Sequence, residues 1–389
     1  MKILLIEICN YIDYPTGGHL SFARNMLKAF GNDLVLVGSS TDDTPVGTWT
    51  QRKIDDVRFD YFSVGNRAKS SKQPLIPARL RSFFSVRKYR RLILQHEYDF
   101  IFIQTPEVLF ALPKRVLSRC ILRMPGVENP LKLSRYRMIR FFQGWYDRIF
   151  FRVLRNVPAI LATADEREID WFVERSNGMI SRENLIQYPT RYDSHTYYVR
   201  ERAESKRKLE IPDSLIVVTT VGRLAQFKGW QLMLDAFEVF RRTHTNAVFY
   251  YIGDGEEQSK IEEYICKKKL SDTVRLIGRQ LPFTISDYLN ASDLFVMGSF
   301  KEGWATTLVE ACACGVPCVV TDFSSSEMIV DGKNGYVVKS RNAELFARKM
   351  GDALQIPRQE VIVFNKKYAD LSVQNMRRSL AVCFQQKVY

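Results

Sequence analysis

Short apolar runs alternate with helix-length amphipathic stretches along almost the whole chain, and that alternation permits few folds. Lys2 to Ile8, Leu34 to Val37, Tyr98 to Gln104, Cys120 to Arg123 and Ala159 to Thr163 read as buried strands. His19 to Phe30, after the first of them, carries Leu20, Ala23, Leu27 and Phe30 at helical spacing. The pattern restarts with Leu215 to Val221, Val248 to Ile252, Val274 to Ile277, Leu294 to Met297 and Cys318 to Thr321. Met233, Ala236, Phe237 and Phe240 mark a helix after the first of these. Strands alternating with helices mean α/β with a mostly parallel sheet. A chain of 389 residues is long enough for two such domains. The expected organisation is two Rossmann-like domains in tandem facing a central crevice, residues 1–195 and 196–358. A helical segment, 359–389, is expected to pack back toward the first domain. The charged stretch Tyr197 to Glu210 reads as the link between domains.

Composition narrows the setting. The chain is 46% apolar and 26% charged, ordinary for a globular protein. Met1-Lys2 runs straight into a strand, and no stretch of 18 uninterrupted apolar residues occurs, so neither a signal peptide nor a membrane span is expected. The seven cysteines have no regular spacing. Cys312, Cys314 and Cys318 cluster without a nearby histidine, which reads as buried thiols in a reducing compartment rather than a zinc site. The net charge of +14 is uneven. Asn66 to Arg91 holds nine Lys or Arg and no acid, and Lys132 to Arg155 holds seven against Asp147 alone. The second segment interleaves its cations with Tyr136, Met138, Ile139, Phe141, Phe142, Trp145, Tyr146, Ile149, Phe150 and Phe151. Cations among aromatic rings suit an anionic membrane surface. A core helix with a solvated basic face is the other reading. Nucleic acid is not expected as a partner, because no binding motif for it accompanies the charge.

In a doubly wound sheet, ligands bind beyond the carboxyl ends of the strands. Gly222, Arg223 and Lys228 follow one strand of the second half, Gly253 another, Gly278 and Arg279 a third, and Glu302 and Gly303 a fourth. These residues are expected to converge on one site. Arg223 offers a planar fork and Lys228 a mobile point charge for phosphate oxygens. A helix starting near Thr307, with Thr306 and Leu308 beside it, adds unpaired backbone N–H groups and the positive end of its dipole. Glu310 has two readings. It could close a capping box with Thr307, or it could accept hydrogen bonds from a pair of ribose hydroxyls. Glu302 would then face a sugar. No GxGxxG follows the first strand, which disfavours a NAD-dependent dehydrogenase. No Asp-x-Asp metal site stands out.

VGRLxxxKG at Val221, GDG at Gly253, LxG before Arg279 and EGxxxxxxEAxxxGxPxV from Glu302 occur in that order. Together with Ala291–Val296 and Asp331–Gly335, they resemble the group 1 glycosyltransferases, retaining enzymes of glycosyltransferase family 4 with the GT-B fold. The resemblance is specific across Val217 to Val338 and weaker in the first half, where Gly17-Gly18 matches a glycine pair near the donor phosphates. It implies a nucleotide sugar as donor, with Arg223 and Lys228 on the diphosphate. It places Glu310 on the ribose, Glu302 on the sugar, the backbone of Gly303 to Leu308 around the pocket, and Ile277–Arg279 near the base. It implies no metal and no cofactor in the chemistry, and a hydroxyl acceptor that the basic aromatic first domain would suit if lipid-linked. The expected location is cytoplasmic, peripheral on the inner face of the membrane. Three positions depart from the pattern. Leu122–Gly126 lacks a histidine usual near the reacting sugar, Thr190–Asp193 replaces an Asn-Gly, and Gly298-Ser299 replaces Pro-Ser. His19, beside the glycine pair, is the acceptor-side candidate or a helix-capping residue. A sugar-nucleotide epimerase and a non-catalytic membrane-surface protein are the rival readings.

Overall fold

A computed structural model describes residues 2–15, 18–69, 77–132 and 141–388. The chain forms two compact units, residues 1–189 with 373–389, and residues 190–372.

The first unit is built on an eight-stranded sheet. Its strands are β1 (Ile3–Ile6), β2 (Leu34–Ser40), β3 (Trp49–Ile54), β4 (Val57–Asn66), β5 (Phe100–Ile103), β6 (Cys120–Met124), β7 (Ala159–Ala162) and β8 (Leu185–Gln187). Their order is β3-β4-β2-β1-β5-β6-β7-β8. Every pairing is parallel except β3 with β4. That antiparallel hairpin has no counterpart in the strand pattern read from the sequence. Its two-residue turn is Asp55-Asp56, both at positive φ, where Asn-Gly is the usual signal. The central strands β1 and β5 are buried end to end, as their continuous apolar runs require.

The second unit carries a six-stranded, wholly parallel sheet: β9 (Ile216–Val221), β10 (Ala247–Ile252), β11 (Val274–Gly278), β12 (Leu294–Met297), β13 (Cys318–Thr321) and β14 (Gly335–Val338). The order is β11-β10-β9-β12-β13-β14. The chain therefore winds one way from β9 to β11, then returns to the other side of β9 with β12. The β9/β12 boundary is the topological switch point, where the loops part and a ligand site opens.

Two expected boundaries move. Tyr197 to Glu210 is not a free link. It contains the helix Arg202–Lys208, bound into the second unit. Arg200 pairs with Asp287 at 2.6 Å, Arg202 pairs with Asp293, and Lys206 Nζ donates to the Leu215 carbonyl at 2.7 Å. The break falls earlier, at 189/190, because the Tyr192 backbone N–H donates to Leu371 O within the second unit. The last segment also divides. Residues 359–372 stay with the second unit, whereas the helix Met376–Val388 places Met376, Leu380 and Cys383 in the first unit's core. Among the described residues no helix is long and apolar enough to cross a membrane. All seven cysteines are free thiols, and Cys312, Cys314 and Cys318 are buried.

Candidate active site

The loops after β9 and β12 meet at the switch point through glycine. Gly229 sits at φ +66°, and a Cβ there would lie 1.8 Å from the Gly298 carbonyl oxygen. A Cβ on Gly298 would in turn lie 2.8 Å from the Gly229 carbonyl oxygen. This mutual contact accounts for glycine at 298. Arg341 locks the same loop: its guanidinium donates to Gly298 O at 2.9 Å and lies over the Phe300 ring. The loops after β9 and β10 are interlaced as well. Leu224 N–H donates to Asp254 O and Glu257 N–H to Leu224 O, both at 2.9 Å. A Cβ on Gly253 would lie 2.0 Å from Gly222 O. Gly253 and Gly278 are themselves joined by a 2.9 Å backbone hydrogen bond. These glycines hold four strand ends together; Arg279, just beyond, is exposed.

Both candidate phosphate cations have carboxylate partners. Lys228 Nζ donates to Glu302 Oε1 at 2.6 Å, with both side chains mostly buried. Ser299 Oγ donates to the same carboxylate oxygen at 2.6 Å. Arg223 Nε donates to Glu256 at 2.9 Å, in an exposed pair. A diphosphate arriving here would meet cations already oriented, and would have to take the place of their carboxylates. Glu302, expected to face a sugar, is held by Lys228 instead of projecting alone. Glu256 and Arg341 carry no motif signal, whereas Ser299 is the serine retained where the family pattern has Pro-Ser.

The helix Thr306–Ala313 follows, capped by Ala305 without a side-chain bond. Thr306 and Thr307 are in its first turn, and Leu308 is fully buried, so only its backbone can face a ligand. The capping-box reading of Glu310 therefore fails, because Thr307 lies inside the helix and Glu310 a turn beyond its start. Glu310 receives a hydrogen bond from the Tyr197 hydroxyl. Enclosure of its carboxyl pushes the pKa up to about 8, against a smaller opposing pull from that hydroxyl. Tyr197 is raised in its turn, first by its own burial and then by Glu310.

In the first unit, Gly17 lies outside the described residues, and Gly18 begins the helix Gly18–Phe30. His19 Nδ1 is 3.3 Å from the buried Glu7 carboxylate. Gln104 Nε2 donates to His19 O at 3.1 Å, and Gln104 Oε1 accepts from the Arg123 guanidinium at 3.0 Å. Arg123 lies in the Leu122–Gly126 region that lacks the histidine, and it is buried with its guanidinium over Phe22.

Two tandem Rossmann-like units, with cations, a helix start and carboxylates at the second unit's switch point, define a protein of the GT-B fold. Residues 201–371 match the family model described as glycosyl transferases group 1. The chain belongs, through that segment, to the group 1 glycosyltransferases. It is 32% identical over 282 residues to an uncharacterized glycosyltransferase of Methanocaldococcus jannaschii, covering 70% of this chain and 66% of that one. It is 31% identical over 150 residues to the alpha-monoglucosyldiacylglycerol synthase of Acholeplasma laidlawii, covering 38% of this chain and 37% of the relative. Among solved structures, the sucrose-phosphate synthase of Thermosynechococcus elongatus superimposes over 99% of this chain and 98% of its own, with a TM-score of 0.72 at 15% identity. Anabaena HepE in complex with UDP-glucose superimposes over 99% of this chain and 100% of its own, with a TM-score of 0.67 at 15% identity.

Proposed function

We propose that the chain transfers a hexose-type sugar from a nucleotide sugar to a hydroxyl acceptor, with retention at the anomeric carbon. One observation carries this reading: Arg223, Lys228, Glu302 and the start of the Thr306–Ala313 helix flank the switch point of one parallel sheet. The cations and helix N-terminus stabilise the leaving diphosphate, where negative charge develops. Lys228 exchanges Glu302 for phosphate oxygens, which frees the carboxylate for the sugar's hydroxyls. Glu310 receives the ribose hydroxyls. Retention follows from attack on the face that the diphosphate leaves, with a leaving phosphate oxygen taking the acceptor's proton. The cationic set supplies the charge a metal would otherwise bring, so neither a metal nor a cofactor is required. The structural neighbour solved with UDP-glucose favours a uridine donor, with GDP-sugars the alternative to be tested.

The acceptor is lipid-linked or an intermediate of a surface glycan. The glycolipid synthase among the relatives supports this, and so does the surface of the first unit. On the helix Gln143–Leu154 and the residues just before it, Phe150, Phe151 and Leu154 are core, whereas Phe141 and Trp145 are 88% and 64% exposed. Phe142 and Phe84 are exposed too. The sequence reading is thus divided between two faces of one segment. The part of it at 133–140 lies outside the described residues, as does 70–76 of the other basic stretch. The outward rings beside the cations dock the protein peripherally on the inner, anionic face of the membrane. Incubating purified protein with UDP- and GDP-sugars, then with extracted lipid acceptors, tests the reaction. Nuclear magnetic resonance of the product is expected to show the donor's anomeric configuration. Inversion, or an epimerised donor formed without any acceptor, would refute the proposal.

A further inference from the structure

The first unit contains a cavity of about 270 Å³, and apart from Gly18 none of its lining residues is assigned to the donor. It opens beyond the carboxyl ends of β1, β4 and β5, with Glu7, Arg67 and Thr105 on its walls. The first turn of the helix Gly18–Phe30 supplies Gly18 and His19, and the helix Ala78–Ile93 supplies Arg79. Arg67 is half-buried, and among the described residues no carboxylate pairs with its guanidinium. Burial and then the nearby Arg81 lower its pKa, against opposing contributions from Tyr14 and Cys9. Arg79 reaches Glu107 at 3.3 Å and remains about half exposed. The first turn of the Gly18–Phe30 helix holds no acid of its own, and the carboxylate that faces it comes from Glu7. Glu7 is the one carboxylate on the lining, and His19 stands 3.3 Å from it.

A guanidinium withdrawn from water without a partner is costly, and an arriving anion restores the balance. Two arginines and a helix N-terminus on one small cavity suit a doubly charged anion better than a neutral sugar. We infer that this cavity receives an acceptor carrying a phosphate group, held by Arg67 and Arg79, with its hydroxyl end at Glu7 and His19. The inference rests on the transferase reading for the word acceptor, and on the cavity alone for the anion.

Thermal unfolding of the full chain in saturating UDP, with glycerol 3-phosphate added, tests it. UDP occupies the donor site, so the phosphate ester cannot report from there. A further rise in melting temperature is expected for the wild type. Arg67→Ala is expected to raise the half-maximal concentration about tenfold or more, with partial rescue by Arg67→Lys. The shift caused by UDP itself stays the same in all three. Arg67-dependent pelleting with phosphatidic acid vesicles, in place of protection by the soluble ester, would support the site and put the phosphate on a lipid. No response to either form, or a response undiminished in Arg67→Ala, overturns the inference. If UDP gives no shift while the Arg67-dependent one remains, the donor reading fails and the anion site stands.

Discussion

The strand-end loops of the two units solve different problems. In the second unit, cations are stored against carboxylates, Lys228 on Glu302 and Arg223 on Glu256, and glycines clamp the loops at fixed backbone distances. In the first unit, Arg67 has no carboxylate partner among the described residues, and the cavity walls come from strand ends and helix starts scattered along the sequence. With the ligands as proposed, a ligand feature shared across a family leaves a motif, whereas a particular acceptor leaves only a local imbalance of charge and burial.

The largest effect should come from breaking the clamp. Gly229→Ala combines a positive φ with a Cβ 1.8 Å from backbone, and is expected to cost about 3 kcal/mol or more of stability. Urea unfolding measures it; a loss below about 1 kcal/mol would mean that the loops part easily. Arg67→Ala in the first unit is the counterpart, with a change within about 0.5 kcal/mol expected because no bond is lost.

Lys228→Ala comes next. Loss of a charge-assisted contact to the diphosphate is expected to cost roughly 1.5–3 kcal/mol in kcat/KM, about 10- to 150-fold. Circular dichroism should remain that of the folded protein. Turnover near the wild-type value would mean that Lys228 only anchors Glu302.

Glu310 gives a pH signature. Its carboxyl is pushed up to about 8 in the free protein, so it is largely protonated at neutral pH. The folded state therefore binds more protons than the unfolded one between the ordinary glutamate value and about 8. Stability falls as pH rises through that window, and the slope ends above it. Donor hydroxyls favour the ionised form, so nucleotide binding is expected to release a proton and to strengthen roughly tenfold between about pH 6.5 and 8.5. Calorimetry in two buffers of different ionisation enthalpy reads that proton. Glu310→Gln should abolish both dependences, and an unchanged pH profile in that variant would remove Glu310 from the site.

The smallest effect on folding belongs to the outward rings. Phe141→Ala with Trp145→Ala should leave stability within about 0.5 kcal/mol, because neither ring is packed. Sedimentation with anionic vesicles should drop, and salt should screen what binding remains. Vesicle binding equal to that of the wild type would assign docking to the cations alone.

Much of the second unit is legible in the sequence because most of its strands are short, nearly continuous apolar runs and its loops need glycine for backbone contact. Ile216–Val221 and Gly229 are such cases. What was missed has no periodic trace. The Asp55-Asp56 hairpin lacks the glycine that flags its turn. The Arg202–Lys208 helix reads as a linker because its role is in ion pairs, Lys208 with Asp287 and Arg202 with Asp293, whose acids lie far along the chain. Glu302 and Lys228 are both legible in the sequence, but their pairing is not, since spacing does not reveal that Lys228 already holds the carboxylate.

Isothermal titration of the purified chain with UDP-glucose, repeated on Lys228→Ala and Glu310→Gln, tests the central claim most directly. One site is expected on the wild type, weakened at least tenfold in each variant, with circular dichroism showing each variant folded at the titration temperature. Equal affinity in all three proteins, or no binding of any UDP- or GDP-sugar by the wild type, would contradict it.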